Sequence, residues 1–131
     1  MPFTGPQQSQ LQKILDERYE VLLEEVRDAL EQSQSQQYAG LIDRMPGDAG
    51  DRSVADVLAD LDLAAIDRHV QEIRDIEGAR ARIKEGTFGI CVTCGGDIGF
   101  ERLLVYPTAK RCVVCQEQRE RTHVHGATPK L

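Results

Sequence analysis

From Gln10 onward, apolar residues recur at three- and four-residue intervals: Leu11, Ile14, Leu15, Tyr19, Leu22, Val26, Ala29 and Leu30. That spacing lays one apolar stripe along an α-helix, and Asp16, Glu17, Glu20, Glu24 and Glu25 fill much of the remaining surface. The polar run 31–37 thins the stripe but holds neither Pro nor Gly. The helix is therefore expected to pass through it, with Tyr38, Leu41, Ile42 and Met45 resuming the apolar face, although Gly40 weakens that expectation. Pro46-Gly47 ends it, and residues 46–52 read as a turn by composition. A second helix is expected from Ser53 to Glu85, along Val54, Val57, Leu58, Leu61, Ala65, Ile73, Ile76 and Ile83, with Ser53 or Asp51 as its cap. Gly78 interrupts that seam at a cost of about 1 kcal/mol, which implies a close contact or a bend. His69 lies near the seam and reads as a boundary histidine.

Two helices of more than thirty residues joined by a short turn are expected to run antiparallel. At ~1.5 Å per residue each would span roughly 50 Å. The fold class is therefore mainly α: a long antiparallel two-helix coiled-coil hairpin, then a small four-cysteine zinc-finger module and a short C-terminal helix. By segment, 1–9 is expected to be a disordered leader and 10–85 the hairpin, with an acidic tip at 46–53. Residues 86–122 would form the zinc module, and 123–131 a flexible tail.

The strongest chemical signal lies in that module. Cys91-Val-Thr-Cys94 and Cys112-Val-Val-Cys115 hold all four cysteines of the chain, seventeen residues apart. Each pair sets two thiolates on one tight turn, and the spacer lets the second turn complete a tetrahedron for Zn²⁺. Gly95 and Gly96 follow the first pair, where the backbone must turn sharply. Two disulfides would suit a secreted chain, yet residues 1–10 carry no apolar signal segment. A redox CxxC would leave the second pair unexplained. One structural zinc on Cys91, Cys94, Cys112 and Cys115 is the expectation, with no open position for catalysis. Cys115 is expected to open a helix reaching about Thr122, and His123 and His125 read as an ordinary tail.

Composition narrows the function. There is no Trp, aromatic residues make up 5% and charged residues 29%, too little to fill a large globular core. Residues 1–85 hold 10 Lys/Arg against 18 Asp/Glu, and residues 86–131 hold 6 against 4. An acidic chain is a poor duplex binder, so direct sequence-specific DNA binding is not expected. Neither is a membrane span. The chain is read as a monomer of a reducing cytoplasm. The expected tip concentrates Asp43, Asp48, Asp51, Asp56, Asp60 and Asp62 against Arg44 and Arg52. Nothing resembles a Ser/His/Asp set or a phosphate-binding glycine loop, so no enzyme is expected.

An acidic helical hairpin followed by G-T-F-G-I-C-V-T-C-G and Y-P-T-A-K-R-C-V-V-C resembles the DksA/TraR family of RNA-polymerase-binding transcription factors. The resemblance covers about residues 10–122 and is most specific in the zinc module. It implies a bacterial, cytoplasmic regulator whose coiled coil enters the secondary channel of RNA polymerase. The family's tip motif, Asp-x-x-Asp-x-Ala, corresponds to Asp48, Asp51 and Ser53, with serine in place of alanine. Turn and cap chemistry also accounts for these residues. Family members that act with ppGpp present basic side chains at positions that here are Glu72, Asp75, Tyr106 and Gln116, so weak or absent ppGpp dependence is implied. Arg52, Arg68, Arg74 and Arg102 remain as polymerase contacts. The alternative is a zinc-ribbon module that binds another protein or nucleic acid.

Overall fold

The computed structural model describes residues 3–32 and 53–127, with side chains up to Thr122. Helix α1 spans Gly5–Gln32, α2 Val54–Ala59, α3 Asp67–Glu85, α4 Phe100–Val105 and α5 Val113–Ala127. A 3-10 turn at Ala64–Ile66 joins α2 to α3. Among the described residues the only β pairing is a single antiparallel bridge between Ile90 and Asp97. The protein is mainly helical, as the apolar pattern predicts.

Helices α1 and α3 form the expected antiparallel pair. The stripe residues Leu11, Leu15, Tyr19, Leu22, Val26 and Leu30 are all buried, facing Val70, Ile73, Ile76 and Ala79 of α3. Polar contacts along the flanks give the direction: Asp16 pairs with Arg80 at 2.8 Å, Arg18 pairs with Glu72 at 2.9 Å, and the Glu25 carboxylate lies 3.3 Å from His69 Nε2. As the α1 number rises, the α3 number falls. Arg80 also lies over the Tyr19 ring, 4.1 Å from its centroid.

Three expectations need correction. First, the leader is not disordered up to residue 9, because α1 begins at Gly5. The Thr4 hydroxyl accepts from the Gln7 N–H at 3.2 Å and the Gln7 side chain accepts from the Thr4 N–H at 3.1 Å, a reciprocal capping box. Pro6 is harmless there, since first-turn N–H groups have no helical acceptor. Just before the cap, Phe3 reaches the Phe88 and Phe100 rings, at centroid distances of 5.9 and 6.3 Å. The leader is thereby tied to the zinc module.

Second, the helix expected from Ser53 to Glu85 is broken. Asp62 takes a left-handed conformation (φ 52°), which Asp tolerates better than most residues. Helix α2 then folds back along α3, and the Glu77 carboxylate accepts from the N–H groups of Val54 (3.0 Å) and Ala55 (3.4 Å). In one continuous helix those residues would lie roughly 35 Å apart. The break also shifts the apolar phase: Ile66 is buried and Ala65, an expected seam residue, is exposed. Third, α5 begins at Val113, before Cys115, and runs to Ala127, into the expected tail.

Gly78 lies inside the uninterrupted α3 and marks no close backbone contact, since a Cβ there would meet only the Arg82 guanidinium at 3.4 Å. Gly86 ends α3 in the left-handed region (φ 81°), with the N–H groups of Thr87 and Phe88 returning to the Arg82 carbonyl at 2.9 and 3.1 Å. This turn redirects the chain into the cysteine module. The expected length of roughly 50 Å is not met by α3, which at 19 residues spans about 28 Å. The expected course of α1 beyond Gln32, and residues 46–52 of the tip, lie outside the described residues.

Candidate metal centre and adjoining cavity

The first cysteine pair sits on a turn closed by the Ile90–Asp97 bridge. The Cys91 N–H donates to Gly96 O at 2.8 Å and the Gly95 N–H to Cys91 O at 3.0 Å. Gly95 adopts φ 78°, a conformation strained for any residue with a Cβ. The second pair spans the start of α5, where the Gln116 N–H donates to Cys112 O at 2.9 Å. The two turns are joined by the Val92 N–H donating to Lys110 O at 2.9 Å. Arg111 adds a side-chain link to the Thr93 hydroxyl at 3.1 Å, and Arg102 donates to Arg111 O at 3.0 Å.

These links bring all four Sγ atoms within 4.8 Å of one another, with Cys94 and Cys112 4.0 Å apart. A tetrahedral Zn²⁺ with Zn–S of about 2.3 Å sets sulfurs about 3.8 Å apart, so the donor set fits one ion with little contraction. None of the four is in a disulfide. Backbone N–H groups already face the sulfurs: Thr93 and Cys94 donate to Cys91 Sγ at 3.4 and 3.5 Å, and Gly96 to Cys94 Sγ at 3.4 Å. Burial raises the Cys91 thiol pKa, but these N–H groups and that of Cys112 outweigh it and bring it down to about 6. Cys115, hydrogen-bonded to Cys112 and buried, is pushed up to about 12. A dication that replaces the thiol protons resolves that crowding. The four cysteines are the ligands of one structural zinc.

Residues 86–121 match the family model described as the prokaryotic dksA/traR C4-type zinc finger. The chain is 33% identical over 124 residues to the RNA polymerase-binding transcription factor DksA of Caulobacter vibrioides, covering 92% of this chain and 81% of that protein. The chain belongs to the DksA/TraR family. It is also 32% identical over 117 residues to an uncharacterized protein of Aquifex aeolicus, covering 84% of this chain and 73% of that one. With DksA of Escherichia coli K12 it shares 34% identity over 73 residues, 56% of this chain and 48% of that protein. No solved structure matches the chain.

Against this DksA/TraR membership, the other site residues fall out unevenly. Asp48, Asp51 and Arg52 lie outside the described residues. Ser53 caps α2, its hydroxyl accepting from the Asp56 N–H at 2.9 Å. Arg74 pairs with Asp56 at 3.2 Å, and Arg102 lies 5.5 Å from the Tyr106 ring centroid, while Arg68 is exposed. Glu72, Asp75 and Tyr106 line one cavity of about 360 Å³ between α1, α3 and the 104–108 segment. Gln116 is not among its walls; it donates to Glu120 at 2.8 Å along α5. The apolar pattern gives no sign of this cavity, because its walls come from three segments distant in sequence.

Proposed function

We propose that this protein is a non-enzymatic transcription regulator that binds RNA polymerase. The observation that carries the reading is the alignment along 124 residues with a polymerase-binding DksA, which takes in both the helix pair and the zinc module. In this reading the zinc module is a base, and the helical part enters the secondary channel, with Asp48 and Asp51 near the catalytic centre. Carboxylates suit that destination because the polymerase centre holds Mg²⁺ and basic groups that grip phosphates. The protein acts as a cytoplasmic monomer without sequence-specific DNA contacts. Two carboxylates, Glu72 and Asp75, at one cavity would repel a polyphosphate, so the regulator works with little or no help from ppGpp at its own interface.

The deciding experiment is co-purification of the zinc-loaded chain with core RNA polymerase, then competition with a second secondary-channel ligand. Retention on core enzyme and displacement by the competitor are expected. Failure to bind core enzyme overturns the reading. Asp48→Asn with Asp51→Asn should keep binding but lose the effect on transcription in a reconstituted assay. A strong ppGpp enhancement in that assay would refute the nucleotide part.

A further inference from the structure

We propose that the cavity between α1, α3 and the 104–108 segment is a socket for a basic side chain, an arginine, presented by a protein partner. Ile14, Ile76, Leu104 and Pro107 supply apolar walls that suit an aliphatic stem. At about 360 Å³ the space is at the small end of ligand sites, suited to one long side chain. Three charged groups line it. The Arg18 guanidinium is already engaged by Glu72 at 2.9 Å. Asp75 accepts only a neutral bond, from the Gln71 amide at 3.1 Å, and among the described residues no cation lies within ion-pair distance of it. Arg82 senses its field but turns its Nη2 to Thr108 O at 3.5 Å. The cavity therefore carries one carboxylate in excess.

That balance selects the occupant. A phosphate would meet two carboxylates and a single, already paired guanidinium, whereas a divalent ion needs more oxygen ligands than Asp75 can supply. A cation on an apolar stem satisfies both the walls and the charge. Tyr106, half-exposed, adds an aromatic ring, which favours a guanidinium over an ammonium. Val105 on the same wall is 87% exposed, the most exposed large hydrophobic side chain among the described residues. Such a side chain beside a charged recess marks a protein contact. The socket chemistry stands by itself; the identity of the partner as polymerase rests on the function proposed above.

The test uses the full, zinc-loaded chain. Amide resonances of Val105, Tyr106 and Thr108 are followed by NMR during titration with a blocked Ala-Arg-Ala peptide, its Ala-Glu-Ala counterpart, and ppGpp. Saturable shifts with the arginine peptide alone are expected, lost in Asp75→Lys and weakened in Asp75→Asn, both with unchanged circular dichroism. No saturable shift, an equal shift in Asp75→Lys, or a stronger response to ppGpp overturns the proposal. In a second arm, Asp75→Lys should weaken binding to core RNA polymerase about tenfold, the scale of one charge-assisted contact, while Glu101→Lys should not. If Asp75→Lys and wild type both bind core enzyme and bind it equally, polymerase as the source of the arginine is overturned. If the arginine peptide binds but core polymerase does not, the socket stands and the polymerase reading falls.

Discussion

Between Leu11 and Leu30, α1 turns a continuous row of aliphatic side chains and one tyrosine into the interface with α3. Between Gly86 and Arg121, side-chain burial is confined to Phe88, Ile98, Leu103, Ala109 and two of the ligands, Cys91 and Cys115. The helix pair stores its stability in buried area, spread over many contacts of a few kcal/mol at most. The module has too little area for that and concentrates its stability in one coordination centre. The first region is thus sensitive to volume and the second to chemistry. Phe3, touching both Phe88 and Phe100, is one place where the two meet, and Arg82 on Thr108 O is another.

The largest expected effect breaks the second region alone. Chelating zinc, or Cys112→Ser, should expose residues 86–121 to proteolysis while far-ultraviolet circular dichroism keeps most of the α1–α3 signal; structural zinc contributes about 10–16 kcal/mol in small fingers. A module that stays protease-resistant without metal would contradict the assignment. Zinc binding at pH 7 should release protons, including that of Cys115, whose thiol is pushed up to about 12. In the metal-free chain Cys91 is lowered from 9 to about 6. In the folded module its share of stability is present above the unfolded value and lost as pH falls through about 6. Because every ligand must lose its proton to bind, zinc affinity should fall steadily as pH is lowered. Weakly buffered titration with a pH indicator measures both effects.

Ile73→Ala should do the reverse. The side chain is fully buried at the centre of the helix pair, and its truncation should cost about 2–5 kcal/mol in denaturant unfolding. Zinc affinity, measured by chelator competition, should change little. Equal loss in both measurements would mean that the regions fold as one unit.

Glu77→Ala removes the acceptor for the first N–H groups of α2 and should cost about 1 kcal/mol, the scale of a lost helix cap. Hydrogen exchange should quicken in Val54–Ala59 and stay unchanged at the cysteine module. At the small end, Gly78→Ala should stabilise the helix pair by about 0.5–1 kcal/mol, because α3 is regular there and only the Arg82 guanidinium stands near the new methyl group. A lower melting temperature would show that the position needs glycine after all.

What could be read from sequence follows the same division. The α1 stripe was largely legible, since a 3.6-residue period needs no knowledge of the partner; six of its eight residues are buried, and Ile14 and Ala29 only partly. The four ligands were legible because thiol chemistry and spacing leave few alternatives. The α2–α3 break was not. Its turn contains neither Gly nor Pro, and the run Leu61, Leu63, Ala64, Ala65 and Ile66 is apolar enough to extend a helical pattern. Only the left-handed Asp62 and the distant Glu77 reverse the chain, and neither announces itself locally. The capping box at Thr4 and Gln7 was present as a pattern but masked by Gly5 and Pro6, which read as breakers. The cavity at Asp75 needed three segments in place before it existed.

The reversal at Asp62 also sets how the chain can vary in length. An added residue within α3 would rotate everything beyond it by about 100° and turn Ile76 and Ala79 out of register with α1. One added between Asp60 and Leu63 would fall in the turn, where loop closure costs little, and leave both apolar faces in phase. Among relatives, gains and losses of single residues should therefore gather in that turn. Substitutions at Val54 or Asp56 should be matched at Glu77 or Arg74 across the fold, rather than at neighbours one helical turn away.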